Sequence, residues 1–382
     1  MSLAGLLAAH RVIVCVGSGG VGKTTTAAAL ALAGALEGRK AMVLTIDPAK
    51  RLAQSLGLDS LRSGGEPLDP ALFERAGLNP RGRLSAGVLE QQSAWDEFIA
   101  RHAPSAEIRD AILNNEFYRH LSSSFAGSAE YMAIEELCRI EESGEHDLIV
   151  LDTPPTGHAL DFLEAPRRLE DFLDRSVVGW FVRPYAAVGW SAWKTTSRTV
   201  RFLLQRIEQA TGIESLRQIS EFFVSMERLF DGIAERSRKV RALLASPTTA
   251  FVLVAGPEEQ VLGESDLLTA KMRELGMPLK GVVMNRVQPM PCGGESEPSR
   301  DQVLRALKRW LVSDIGPEEL EWLADAYENA CRSARAQELR CEAFEVGLGD
   351  EVVAVRIPEL EADVHDLASL AKVARLLMGE GL

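Results

Sequence analysis

Three short segments hold the residues whose types and spacing could do chemistry. The first is Gly17-Ser18-Gly19-Gly20-Val21-Gly22-Lys23-Thr24-Thr25, which has the spacing G-x-x-x-x-G-K-[ST]. Glycines at these places let consecutive backbone N–H groups turn inward around an anion, and the helix that follows adds its positive N-terminal end. Gly19, Gly20, Val21, Gly22 and Thr25 then cradle the phosphates of a nucleotide, Lys23 holds the β- and γ-phosphates, and Thr24 ligates Mg²⁺.

The second segment, Leu151-Asp152-Thr153-Pro154-Pro155-Thr156-Gly157-His158, directly follows an apolar run. A carboxylate at the C-terminal tip of a buried strand sits where parallel α/β sheets bind ligands, so Asp152 can reach the Mg²⁺ from the side opposite Thr24. Pro154, Pro155 and Gly157 prevent the next loop from continuing as helix and leave the Gly157 N–H free to sense a γ-phosphate. Asp152, Thr153 and Gly157 therefore read as a switch. The third segment, Thr45-Ile46-Asp47-Pro48-Ala49-Lys50-Arg51, also lies just past a strand tip. Asp47 would lie across the phosphates from Lys23, close enough to orient or deprotonate an attacking water, and Asp47-Pro48 reads as a further switch element. Lys50 and Arg51 bring positive charge to this loop, either as phosphate contacts or as a solvated helix start.

These segments need strand tips to carry them. Seven runs read as buried strands: Arg11–Val16, Ala41–Ile46, Leu84–Leu89, Leu148–Leu151, Ala250–Ala255, Gly281–Met284 and Val352–Ile357. Their apolar continuity predicts a mostly parallel sheet of about seven or eight strands, covered by helices on both faces. Residues 1–382 read as a single nucleotide-hydrolysing domain of P-loop type, an α/β fold with an inserted helical subdomain. Two helical stretches, about 93–145 and 165–245, are too long for simple crossovers and form that subdomain; a third, charged, spans about 300–345. The apolar opening Leu3–Ala9 is not read as a secretion signal, because no basic segment precedes it and the P-loop strand follows at once.

The formal charge of −13 argues against wrapping nucleic acid. No apolar stretch is long enough to make the chain integral to a membrane. Five scattered cysteines, Cys15, Cys138, Cys292, Cys331 and Cys341, lack any C-x-x-C pair and read as reduced thiols of a cytoplasmic protein. Cys15 lies in the P-loop strand and reads as core packing.

Taken together, the glycine-rich loop, the Asp47-Pro48-Ala49 turn and the Asp152-Thr153-Pro154-Pro155-Thr156-Gly157-His158 loop resemble the ArsA group of P-loop ATPases. That group includes arsenite-efflux ATPases and the guided-entry ATPases that deliver tail-anchored membrane proteins; more broadly the motifs resemble the MinD, ParA and nitrogenase iron protein class. The likeness extends to Val283-Met284-Asn285-Arg286, Gly256-Pro257-Glu258 and Arg356-Ile357-Pro358. It implies hydrolysis of ATP to ADP with Mg²⁺, nucleotide contacts from Asn285, Arg286 and Pro358, and a dimer with facing sites. Asn285 suits adenine, since an amide both accepts and donates; a strand-end cap is its alternative. The partner is a second copy or a paralogue.

Two departures from the resemblance stand out. Ser18 occupies the place of the family's signature lysine, which reaches the other subunit's phosphates, and a serine supplies no such charge. Either Lys50 or Arg51 substitutes, or hydrolysis is slow, or a partner subunit donates the lysine. The zinc site of the eukaryotic guided-entry ATPases is not expected either, because Cys292 alone stands in that region and a tetrahedral site needs four ligands. Nor do the cysteines share a spacing that brings three thiolates to As(III).

The insertion carries Trp180, Trp190 and Trp193 in an apolar stretch, which is a buried helix pair, a groove or lid for a client, or a membrane contact. The leading expectation is an ATPase that handles a hydrophobic protein segment or membrane-protein partner. A metalloid-efflux motor, a MinD-like positioning switch and a small-molecule kinase are the alternatives.

Overall fold

A computed structural model of the chain describes residues 2–46, 51–116, 118–119, 122, 128–154, 164, 222, 225, 229–291, 298–310 and 316–380. Eight strands form one sheet: β1 (Val12–Val16), β2 (Lys40–Thr45), β3 (Glu66–Pro67), β4 (Arg83–Val88), β5 (Leu148–Asp152), β6 (Thr249–Ala255), β7 (Leu279–Val287) and β8 (Val353–Pro358). Their spatial order is β3-β4-β2-β5-β1-β6-β7-β8. Every pairing is parallel except the edge pair β3–β4.

The expected mostly parallel sheet flanked by helices is the one observed, with two differences. Sequence pattern misses β3, because a two-residue Glu-Pro strand shows no periodicity. It also ends the seventh strand too early: β7 runs to Val287, through a register irregularity between Met284 and Val287. Asn285 and Arg286 therefore sit inside a bulged strand end, and Arg286 takes φ 57°, a left-handed value that is uncommon outside glycine.

Alternation along the strands divides the core in two. On one face Ile13, Cys15, Val43, Val150 and Val252 pack under α1 (Leu3–Ala9), α2 (Lys23–Leu36), α3 (Arg51–Ser55) and α4 (Pro70–Arg75). The last helix of the chain, Leu367–Met378, covers the same face with Leu367, Leu370, Ala371, Val373, Ala374 and Leu377, leaving Lys372 and Arg375 outside as its amphipathic pattern predicts. Leu3 and Leu6 of the opening segment are buried in this layer.

On the opposite face Val12, Val14, Val16, Leu44, Leu151 and Leu253 pack against α5 (Gln91–His102), α6 (Ala106–Leu113), α7 (Ser128–Ser143), α8 (Phe230–Leu244) and α9 (Glu259–Glu274). The charged stretch expected at about 300–345 is two helices, α10 (Arg300–Trp310) and α11 (Pro317–Leu348). Arg300 joins them through Glu321, Asp325 and Glu328 at 2.7, 2.7 and 3.0 Å.

Helices α7 and α8 are clasped by Arg236, whose Nε donates to both oxygens of Glu135 at 2.8 Å and whose Nη1 donates to Glu142 at 2.5 and 2.7 Å. Glu135 is almost fully buried, and burial raises its pKa despite the guanidinium beside it. Most of the second expected insertion, 165–245, lies outside the described residues, including Trp180, Trp190 and Trp193. Among the described residues no helix is long and apolar enough to cross a membrane.

Candidate functional site

The sheet order brings the three chemical segments together. Strand β5 lies between β1 and β2, and Asp152 is in register with Cys15 on one side and Thr45 on the other. All three chain segments therefore emerge at the C-terminal edge of the central strands, where open parallel sheets bind ligands.

Between β1 and α2 the glycine-rich loop folds tightly enough to exclude side chains. Gly17 has φ 149°, and a Cβ there would lie 2.0 Å from the Val254 carbonyl oxygen. Gly22 is the N-cap of α2 at φ 93° and makes no side-chain cap, so the first N–H groups of the helix remain directed at the loop's concave side. A Cβ on Gly22 would meet Asn285 Nδ2 at 2.3 Å. Asn285 comes this close because its Nδ2 donates to the Val21 carbonyl oxygen at 2.8 Å, which leaves its Oδ1 as an acceptor.

Lys23 is buried, and its Nζ donates to the Ser18 carbonyl oxygen at 2.7 Å. The Ser18 hydroxyl, itself 4% exposed, donates to Glu264 Oε2 on α9 at 2.6 Å. That hydrogen bond, with a second from Gln260, holds the Glu264 carboxyl below its usual pKa. The position expected to lack a cation is thus occupied by a hydroxyl tied to an acid 246 residues away in sequence.

Thr24 and Asp152, the two residues expected to hold Mg²⁺, are in direct contact. Thr24 Oγ1 donates to Asp152 Oδ2 at 2.8 Å, and Thr45 Oγ1 donates to the same oxygen at 2.9 Å. Thr153 Oγ1 donates to the Cys15 carbonyl oxygen at 2.8 Å, locking the end of β5 to β1. Cys15 is fully buried; burial first, and then the charge of Asp152, hold its thiol well above the ordinary value, which suits a packing role.

A cavity of about 300 Å³ opens over this arrangement. Its floor is Gly20, Gly22, Lys23, Thr24 and Thr25; one wall is Arg51, Gln54 and Ser55 of α3; Thr153, Arg286 and Val364 complete it. Among the described residues, three cations and no carboxylate line it, in a chain whose net charge is −13. The donor set Thr24 hydroxyl plus Asp152 carboxylate is all oxygen, which fits a hard divalent cation such as Mg²⁺ and no soft metal.

Gly20, Gly22, Lys23, Thr24, Thr25 and Arg286 are therefore brought to one cavity, with Gly19, Val21, Asp152 and Asn285 immediately behind it. Pro358 ends β8 opposite Val287 and does not line the cavity; Val364, in the loop before the last helix, does. Asp47, Pro48, Lys50, Gly157 and Cys292 lie outside the described residues. Thr45, Gln54, Ser55, Glu264 and Val364 were not singled out by sequence reading. A polar residue at the tip of β2, Thr45, carried the one signal that could have been used.

Comparison with known proteins decides the family. The model of the anion-transporting ATPases, the ArsA ATPase family, matches residues 10–293. The chain belongs to this family. The matched span contains the glycine-rich loop, Asp152 and Asn285, and membership makes the protein an ATP hydrolase. Among relatives, the chain is 26% identical over 303 residues to ATPase GET3 of Malassezia globosa, covering 79% of this chain and 80% of that one. It is 27% identical over 292 residues to ATPase GET3B of Arabidopsis thaliana, covering 72% of this chain and 63% of that one. It is 23% identical over 379 residues to a protein of Aquifex aeolicus named as an arsenical pump-driving ATPase, covering 97% of this chain and 79% of that one.

Proposed function

We propose that this ArsA-family ATPase is a cytoplasmic, Mg²⁺-dependent dimer, of two copies or of one copy and a paralogue, in which ATP hydrolysis moves a helical subdomain that holds a hydrophobic protein segment. In this reading, residues 1–382 form one ATPase domain with helical insertions at about 93–145 and 165–245. The observation that carries the hydrolytic part is the convergence of Thr24, Thr45 and Asp152 beside a cation-lined cavity over the glycine-rich loop.

Each residue has a distinct task. Lys23 leaves the Ser18 carbonyl oxygen, 2.7 Å away, and places its ammonium between the β- and γ-phosphates, where it stabilises charge developing at the bond that breaks. Thr24 and Asp152 would hold Mg²⁺, which when bound would neutralise charge at the phosphates. Thr45 holds the Asp152 carboxylate in one orientation through the 2.9 Å bond. Asp47 orients the attacking water and takes its proton. Asn285 keeps its Oδ1 for the adenine amino group, while its Nδ2 stays on Val21.

The coupling to the helical subdomain is supported by α9. Glu264 on this helix holds Ser18 of the glycine-rich loop, and Lys271, two turns later on the same face, pairs with Glu164 at 2.9 Å. Glu164 lies just past the Asp152–Gly157 loop, at the entry to the second insertion. A change at the loop that shifts α9 therefore bears on the insertion directly.

The test is to hold the protein with ATP bound, as Asp47→Asn, and offer it a soluble reporter fused to a single transmembrane segment. Retention with ATP, and release from wild type on hydrolysis, is the expected result. No retention in any nucleotide state, together with stimulation of turnover by As(III), would replace the client reading with metalloid efflux.

A further inference from the structure

Part of the cavity lining is built by α3, which was not expected to take part beyond its first residue. Arg51, Gln54 and Ser55 fall at i, i+3 and i+4, so they share one face of the helix, and all three line the cavity. The intervening Leu52 and Ala53 are buried in the core beneath, which fixes how the helix is turned. Arg51 is the cation of α3; the other two cations that line the cavity among the described residues are Lys23, at the start of α2, and Arg286, in the bulged end of β7.

We propose that Arg51 binds the polyphosphate of the nucleotide from the α3 wall, acting with Lys23 as a second phosphate cation in the same subunit. This rests on the ATPase reading of the same cavity and adds a ligand to it. A triphosphate carries more negative charge than one ammonium and one divalent cation neutralise. A guanidinium supplies a planar pair of donors suited to two phosphate oxygens. The charge that Ser18 does not supply is then met within the chain, from the face of α3 rather than from the glycine-rich loop, where Glu264 already occupies the Ser18 hydroxyl. Gln54 and Ser55 extend the same wall with neutral hydrogen-bonding groups, so Arg51 is the residue on α3 whose loss removes charge.

The experiment measures displacement of a fluorescent ADP by unlabelled ADP and by inorganic tripolyphosphate, which has phosphates but no base or ribose, on the full chain and on Arg51→Ala, Arg51→Gln, Arg51→Lys and Lys23→Ala. Arg51→Ala and Arg51→Gln should each weaken both competitors by roughly 10-fold or more, the size of one charge-assisted contact. Arg51→Lys should recover most of the loss, because it restores the positive charge. If Arg51→Gln and Arg51→Ala bind both competitors within twofold of wild type while Lys23→Ala does not, the assignment of Arg51 is overturned and the ATPase site stands. If Arg51→Gln binds as Arg51→Lys does, the side chain has a packing role and the assignment is again overturned. Unchanged affinity in Lys23→Ala would remove the nucleotide reading of the cavity itself.

Discussion

Replacing Gly22 by alanine tests whether the glycine-rich loop and the bulged end of β7 are one mechanical unit. Two terms oppose the new Cβ. Gly22 sits at φ 93°, where an alanine costs about 1–2 kcal/mol. The Cβ would also lie 2.3 Å from Asn285 Nδ2, so the amide must swing away and lose its 2.8 Å bond to the Val21 carbonyl oxygen, a further loss of about 1 kcal/mol. Gly22→Ala should therefore destabilise the nucleotide-free protein by about 2–3 kcal/mol, and Asn285→Ala alone by about 1 kcal/mol. The double variant should be no worse than Gly22→Ala, because the hydrogen bond can be lost only once. The cycle would then show a coupling of about 1 kcal/mol, well outside the few tenths expected for independent sites. Equilibrium urea denaturation of the four proteins supplies the numbers. Additive losses, or a Gly22→Ala cost below about 0.5 kcal/mol, would refute the account of how loop and strand end meet.

Other outcomes follow from the same contacts. Asp152→Asn can still accept from Thr24 and Thr45 but loses the charge, so Mg²⁺-dependent ATP affinity should fall about 10-fold by calorimetry, while Asp47→Asn should keep affinity and slow turnover about 100-fold in a phosphate-release assay. Identical defects would show that the two carboxylates do not divide the work. Because the Ser18 hydroxyl holds the folded-state pKa of Glu264 below the ordinary 4.5, its stabilising effect is full above that pH and is lost as pH falls through the depressed value. An NMR titration should accordingly move the Glu264 carboxyl upward in Ser18→Ala, and an unmoved titration would sink the coupling. Arg236→Ala leaves the buried Glu135 without its guanidinium and should cost about 3 kcal/mol at pH 7. Burial already raises the Glu135 pKa and losing the guanidinium raises it further, so this loss should shrink as pH falls through the raised value toward the ordinary 4.5, where the folded-state carboxyl is already protonated. A pH-independent loss in urea titrations would point to packing instead.

What was legible in the sequence is what short stretches of backbone decide. The glycine-rich loop could be read because conformation, spacing and the following helix all lie within about twenty residues, and glycine at Gly17 and Gly22 answers a local demand for backbone that no other residue meets. Asp152 could be read because a carboxylate ending an apolar run must stand at a strand tip, and the strands themselves because residues buried on both faces form continuous apolar runs. What the sequence left open depends on which strands become neighbours. Placing β5 between β1 and β2 brings Thr45 and Thr24 onto one oxygen of Asp152, and placing β6 and β7 beyond β1 carries Glu264 to Ser18 and Asn285 to Val21. None of these partners has a local signature, since a hydroxyl or a surface glutamate reads the same wherever it lies. The turning of α3 that brings Arg51 to the cavity is likewise decided by the burial of Leu52 and Ala53. Side chains hundreds of residues apart acquire their chemistry only when packing of the sheet fixes the few ångströms between them, because hydrogen bonds and close charge contacts fail beyond that range.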